Sequence, residues 1–125
     1  MRFKRDEAFR FEFGEPLPII FQVDEINGKR MTLSDCKAKM LDLSLKGMKI
    51  VTSIPLPVNS PQEIKVTVHF LLNNRNYTIQ GQLVWKKQRF KEYIYGLKFL
   101  VGPDLLDSIL GDLKIIGKQM AQLKS

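Results

Sequence analysis

The sequence is poor in the residues that catalytic and metal sites usually require. It contains one cysteine, one histidine and one tryptophan in 125 residues. A single thiol cannot form an intrachain disulfide, and neither Cys36 nor His69 has a second ligand at metal-binding spacing. The sequence also lacks a Ser-His or Cys-His set, paired carboxylates and a glycine-rich phosphate loop. We therefore predict no catalytic residue, no metal site and no cofactor, and an enzyme is the least favoured class.

Long apolar runs are also missing. No stretch approaches the roughly 20 residues that cross a bilayer, so we expect no transmembrane segment. The basic N-terminus continues into acids and aromatics, unlike a signal peptide, and we expect a cytoplasmic protein. Hydrophobic residues make up 44% and charged residues 26%, as in ordinary globular domains. The length predicts a single domain over residues 1–125.

Positive charge is in excess, with a formal net charge of +7. Such an excess favours anionic partners such as nucleotides, nucleic acid or acidic lipid. A nucleic-acid-binding small barrel is one interpretation. The aromatic residues, however, alternate as core residues and do not form an exposed stacking face, so we expect no nucleic acid. The short basic cluster Lys86–Lys91 is predicted to be a solvated hairpin connection.

Apolar and polar residues alternate over most of the chain, which is the period of β-strands. Asn27-Gly28 predicts a tight hairpin, and Ser34-Asp35 predicts a bulge or a turn. Pro16 and Pro18 confine the start of the first strand to an edge. Trp85 falls on the apolar side of its strand. The predicted strands are 16–24, 29–33 resuming over 38–41, 48–51, 64–72, 77–85 and 93–100.

The period changes after Gly102, where apolar residues step by three and four as in an amphipathic helix over 103–124. Gly111 and Gly117 each weaken this helix by about 1 kcal/mol relative to alanine. It therefore needs a packing surface, which is usually its own sheet and less commonly a homo-oligomer seam. The pattern predicts an N-terminal arm over 1–14, a small barrel or sandwich over 15–101, and this C-terminal helix.

One turn, Asp42-Leu43-Ser44-Leu45-Lys46-Gly47, joins two strand-like runs. Its Asp and Ser side chains can bond backbone amides and hold a tight conformation. Gly47 supplies a positive φ or permits a close approach to the backbone. Taken alone, this spacing is a weak pattern that a plain hairpin corner explains. We expect Asp42, Ser44 and Gly47 to be exposed on the barrel surface beside the N-terminal arm.

This turn, the arginine-bearing arm, the Trp85 strand and the closing Tyr95–Phe99 strand before a helix give the chain a family resemblance. The whole chain resembles a PilZ domain, the bacterial receptor module for cyclic di-GMP. The resemblance implies an all-β fold, a six-stranded antiparallel split β-barrel with a C-terminal helix. It also implies an Arg-x-x-x-Arg motif in the arm. Arg10 matches the second arginine, whereas the first falls at Asp6, with Arg5 one position earlier.

The resemblance implies that cyclic di-GMP binds Arg5, Arg10, Asp42, Ser44 and Gly47. Arginine forks onto phosphate or onto guanine O6 and N7. Asp42 could accept hydrogen bonds from guanine N1 and N2, Ser44 could bond a phosphate or a base edge, and Gly47 would admit the ligand. The implied function is a sensor that passes the signal to a protein partner in motility, exopolysaccharide or secretion machinery. The alternative is a degenerate PilZ adaptor that binds only protein.

Overall fold

The computed structural model of the protein describes residues 10–44, 46–56, 63–100 and 102–123. The strands close into an antiparallel barrel in the order β1-β2-β3-β6-β5-β4. This confirms the predicted fold class, an antiparallel β structure with one C-terminal helix. The elements are β1 (Arg10–Ile26), β2 (Lys29–Ser44), β3 (Gly47–Thr52), β4 (Ile64–Leu72), β5 (Arg75–Arg89), β6 (Glu92–Phe99) and α1 (Pro103–Leu123).

The β1–β2 pairing shows how the local sequence sets the strand register. Asn27 and Gly28 have φ values of 54° and 81°, as the predicted tight hairpin requires. Further along, Val23 faces Leu33 and Phe21 faces Cys36. Two residues of β2 thus oppose one residue of β1, which is a β-bulge. Of the two predicted alternatives for Ser34-Asp35, the bulge is correct.

The start of β1 differs from the prediction. The strand begins at Arg10, well before Pro16, because Arg10 and Phe11 pair with the end of β2. Pairing with β4 begins only at Ile19. The two prolines therefore lie where β1 has a neighbour on one side only, as expected for residues that lack an N–H.

The barrel interior is apolar and follows the predicted alternation most closely in β4. Ile64, Val66 and Val68 are fully buried, and His69 on the opposite face is exposed. The His69 ring lies 3.0 Å from the Thr78 hydroxyl, which is consistent with the predicted surface histidine. Residues from all six strands and from α1 complete the core. Its largest fully buried members are Tyr95, Phe21, Met40, Leu43, Ile50, Ile64, Leu72, Ile79, Ile109 and Leu113.

Helix α1 packs on its own barrel, as predicted. Ile109 and Leu113 are each 1% exposed. Between them in sequence, the Asp112 carboxylate accepts hydrogen bonds from the Asn73 amide (3.0 Å) and from the Tyr77 hydroxyl. The helix is thus held at the β4–β5 hairpin by apolar burial and by one buried carboxylate. Homo-oligomer formation through this helix stays a prediction.

We expect Asp112→Ala to lower the free energy of unfolding by about 2 kcal/mol, because it leaves buried donors without an acceptor. Burial opposes ionisation of Asp112, but the hydrogen bonds from Asn73 and Tyr77 and the charge of Arg75 give it a lowered pKa overall. Its contribution is therefore present above the unfolded pKa of about 4 and is lost as the pH falls through the folded pKa.

Urea denaturation at neutral and acid pH measures this contribution. The difference between wild type and Asp112→Ala should shrink in acid. Asp107→Ala, which removes an exposed carboxylate from the same helix, should change stability little. Equal stability losses for the two variants would contradict the assigned role of Asp112.

Candidate functional site

Two rows of residues cross the outer face of the barrel near the start of β1. The residues next to these rows in sequence are buried in the core. They include Leu43, Met48 and Leu97. Side chains alternate along a strand, so the rows face outwards. One row consists of Glu12, Asp42, Lys49, Gly96 and Trp85 on β1, β2, β3, β6 and β5. The other runs from Arg10 and Ser44, which pair across β1 and β2, to Gly47, Lys98 and Gln82, which pair across β3, β6 and β5. Hydrogen bonds of the Ser44 hydroxyl to the Gly47 backbone join its two parts.

Asp42 lies beneath two cations. Its Oδ1 is 2.7 Å from Arg10 Nη1, and its Oδ2 is 3.3 Å from Lys49 Nζ. The Asp42 side chain is 2% exposed, whereas the Arg10 side chain is 54% exposed. The prediction that Asp42 is exposed is therefore wrong. The carboxylate faces outwards but is covered by its partners, which together neutralise it.

Ser44 holds the turn. Its hydroxyl accepts hydrogen bonds from the backbone N–H groups of Lys46 and Gly47, both at 3.2 Å, and donates to the Gly47 carbonyl at 3.1 Å. The Lys46 carbonyl accepts from the Phe99 N–H at 2.9 Å, which joins the turn to β6. The predicted backbone bonding by Ser44 is confirmed. Ser44 is 3% exposed, so its predicted exposure is wrong, because the hydroxyl is turned into the loop.

Gly47 is required by close packing. Of the two predicted alternatives, positive φ is wrong, because Gly28 is the only glycine with a positive φ among the described residues. A Cβ at position 47 would lie 1.9 Å from the Leu97 carbonyl oxygen. The backbone that approaches Gly47 is therefore that of β6. The prediction that Gly47 is exposed is also wrong, because Gly47 is buried.

A pocket of about 210 Å³ lies beside this turn, between β3, β5 and β6. Four cationic residues and no carboxylate are found among its described lining residues, so the pocket favours an anion. Ligand pockets usually measure about 300–1,000 Å³, so a ligand of ordinary size would extend beyond this pocket. It is lined by Arg10, Ser44, Lys46, Gly47, Met48, Lys49, Val84, Trp85, Gly96, Leu97 and Lys98.

Trp85 is the aromatic member of this pocket, and sequence alternation placed it wrongly on the apolar side. A register shift between Leu83 and Trp85 turns the indole outwards, where it is 43% exposed. Gly96 makes room for it, because a Cβ there would lie 1.9 Å from the indole Nε1. An exposed aromatic face in a basic pocket can stack on a planar base. No local pattern in the sequence signals this bulge.

The predicted ligand residues therefore do not all line the pocket. Arg10, Ser44 and Gly47 line the pocket, whereas Asp42 supports Arg10 from below. Arg5 lies outside the described residues, as does Asp6 in the first motif position. Sequence reasoning missed Lys49, Lys98 and Trp85, which strand pairing brings to the pocket. Their ligand roles, like those of the predicted residues, stay predictions.

A larger depression of about 710 Å³ lies on another face and includes Asp24, Glu25 and Lys65. Its lining holds two carboxylates, Asp24 and Glu25, which balance its two cations, Arg30 and Lys65. Glu25 lies 3.6 Å from Lys65. It therefore suits an anion less well than the pocket at Arg10. Within the described part of the chain, no cluster of metal-binding side chains occurs. None of the helices described is long and apolar enough to cross a membrane.

Comparisons with known proteins agree with the fold described above. A family model described as PilZ domain matches residues 3–113. Among solved structures, the fold is similar to that of YcgR from Escherichia coli, crystallised in complex with c-di-GMP, with a TM-score of 0.62 and 19% identity. The match covers 98% of this chain and 51% of that chain, so this chain spans about half the length of YcgR. No curated protein matches the sequence.

Proposed function

The chain belongs to the PilZ domain family, and on that premise we propose that it is a receptor for cyclic di-GMP. The observation that carries this proposal is the pocket beside the Ser44–Gly47 turn, which combines four cations with an exposed indole and has no lining carboxylate among the described residues. A cyclic dinucleotide offers two phosphates and two planar bases, which match these groups. The proposed role is binding, without a catalytic step.

Arg10 is the proposed principal anion ligand. One of its nitrogens, Nη1, bonds Asp42, and about half of the side chain stays exposed. The guanidinium has five N–H donors in a fixed plane, so it can hold Asp42 and still fork onto a phosphate or a guanine edge. We infer that Asp42 positions Arg10. A direct bond from guanine to Asp42 would require Arg10 or Lys49 to move.

Ser44 and Gly47 are proposed to shape the pocket wall. The Ser44 hydroxyl already bonds three backbone groups of the turn. To bond a phosphate or a base edge directly, the Ser44 hydroxyl would have to give up one of these backbone hydrogen bonds. Trp85 is proposed to stack on a guanine, with Lys49 and Lys98 balancing phosphate charge.

The N-terminal arm is proposed to complete the site. A pocket of about 210 Å³ is smaller than the usual ligand pocket, and Arg10 at its edge begins β1. Residues before Arg10 are thus connected directly to the pocket, and we propose that Arg5 binds the ligand there. YcgR, which shares the fold, was crystallised with c-di-GMP.

We further propose that the ligand-bound domain passes the signal, in the cytoplasm, to a protein partner in motility, exopolysaccharide or secretion machinery. The alternative, an adaptor that binds protein without nucleotide, rests on Asp6 in the first motif position. The pocket favours nucleotide binding, because its four cations leave a net positive charge even after the buried Asp42 is counted against Arg10 and Lys49.

Titration with cyclic di-GMP tests the proposal directly. Trp85 is the only tryptophan, so its fluorescence reports on this pocket alone. We expect saturable quenching as a guanine stacks on the indole, with matching heat in calorimetry. Cyclic AMP and GMP serve as controls and should give weaker signals. The absence of both quenching and heat at high ligand concentration would favour the adaptor.

A further inference from the structure

The tip of the β5–β6 hairpin, residues 86–92, presents an aromatic residue to solvent. Phe90 is 93% exposed, more than any other exposed large hydrophobic residue of the described chain. Both arms of the tip are paired, from Lys86 with Tyr95 to Arg89 with Glu92. The predicted basic connection is therefore mostly strand, with a turn only at Phe90 and Lys91. The side chain thus stands at the end of a rigid, hydrogen-bonded ribbon.

Phe90 also occupies a backbone conformation that aromatic residues avoid. Its φ is 56°, in the left-handed region. The other described non-glycine residues with positive φ are Asn27, Asp35, Asn73 and Asn74, which are the types that tolerate it. Asparagine at position 90 would suit the turn better and would avoid an exposed ring. Folding therefore does not explain this phenylalanine, and departures of this kind are concentrated at functional sites.

Basic residues surround Phe90. Lys87 and Lys91 are exposed and have no ion pair with a described residue. Arg89 is 4.0 Å from Glu92, the only acid of the tip. Lys86 is directed back to the barrel, where it donates to the Leu56 carbonyl at 3.0 Å and lies over the Tyr93 ring. The tip therefore combines one protruding aromatic ring with surrounding basic residues that give it a net positive charge.

We propose that this tip docks onto an anionic lipid surface. The ring would enter the boundary between headgroups and acyl chains while Lys87, Arg89 and Lys91 bind anionic headgroups. A protein partner is less well matched, because a hot-spot residue normally sits at the centre of a broad contact surface. A nucleic acid is also less well matched, because bases stack in basic grooves and this tip is convex. Membrane docking is independent of the proposed nucleotide receptor function.

Cosedimentation with vesicles tests the proposal. The protein should bind vesicles of phosphatidylglycerol mixed with phosphatidylcholine, should bind pure phosphatidylcholine weakly, and should be released by salt. Phe90→Asn should weaken binding about ten-fold, the effect of removing a partly buried aromatic side chain. Leu71→Thr, which removes another exposed apolar side chain, should bind as wild type.

Charge is tested by a matched pair of double variants. Lys87→Gln with Lys91→Gln should weaken vesicle binding about ten-fold. Lys37→Gln with Lys39→Gln makes the same charge change at exposed positions of β2 and should have a much smaller effect. Thermal unfolding provides the folding control, and Phe90→Asn should unfold at the same temperature as wild type or higher.

A fluorescence measurement locates the contact. Because Trp85 is the only tryptophan, Phe90→Trp in a Trp85→Phe background places the single indole at the tip. Its emission should shift to the blue with anionic vesicles and stay unchanged with phosphatidylcholine alone. Wild-type binding by Phe90→Asn, equal losses from both lysine pairs, no binding to anionic vesicles, or an unshifted tip emission would each overturn the proposal.

Discussion

Replacing Gly47 with alanine is expected to lower the free energy of unfolding by about 3 kcal/mol, at the upper end of ordinary overpacking. The added Cβ would lie 1.9 Å from the Leu97 carbonyl oxygen. That oxygen belongs to backbone, so no side-chain rotation can relieve the overlap. Relief requires β3 and β6 to separate where Gly47 pairs with Lys98, which is one wall of the pocket.

Chemical denaturation of Gly47→Ala measures the effect, and Gly111→Ala is its matched control. Gly111 is exposed in α1, and a Cβ added there would meet open space, with no packing neighbour within 4 Å among the described residues. Alanine there should raise stability by about 1 kcal/mol through helix propensity. Unchanged stability in Gly47→Ala would mean that the turn tolerates a side chain, and that the motif glycine serves the ligand alone.

The strands could be predicted from the sequence wherever they are regular. In β4, strict alternation placed Ile64, Val66 and Val68 in the core, and all three are buried. The same rule failed at Trp85, because one extra residue in β5 reverses the face of every residue beyond it. Alternation is a local property, whereas a bulge is fixed by pairing with a partner strand. The sequence therefore predicted the barrel better than it predicted the outer face.

The candidate site shows the same limit. Arg10 and Asp42 are separated by 32 residues, and only the family resemblance connected them before strand register was known. Lys49 and Lys98 belong to no motif and reach the pocket because β3 lies between β2 and β6. The burial of Asp42 was missed for a related reason. A turn pattern predicts bonds to nearby backbone, but not a covering arginine from another strand.

Removing the Arg10 side chain is expected to weaken cyclic di-GMP binding by at least ten-fold, since charge-assisted hydrogen bonds contribute about 1.5–3 kcal/mol each. Arg10→Ala also leaves the buried Asp42 with Lys49 as its remaining cation. Arg10→Lys separates the two effects, because lysine keeps a charge near Asp42 but cannot fork. We expect Arg10→Lys to fold as wild type but to bind cyclic di-GMP more weakly than wild type does. Arg30→Ala, at the opposite end of β2, should bind normally.

Asp6→Arg is expected to strengthen binding about ten-fold, the reverse of losing one charge-assisted bond. An acid in the first motif position removes a fork for phosphate or guanine and repels the same anion. Arginine would restore the fork and remove the repulsion. Calorimetry should therefore rank the proteins as Asp6→Arg, wild type, Arg10→Lys and Arg10→Ala, in order of falling affinity.

Arg5→Ala tests whether Arg5 substitutes for the missing arginine, and its effect should be smaller in the Asp6→Arg background. Unchanged affinity in Arg10→Ala would place the ligand elsewhere on the barrel, and unchanged affinity in Asp6→Arg would mean that the arm does not reach it.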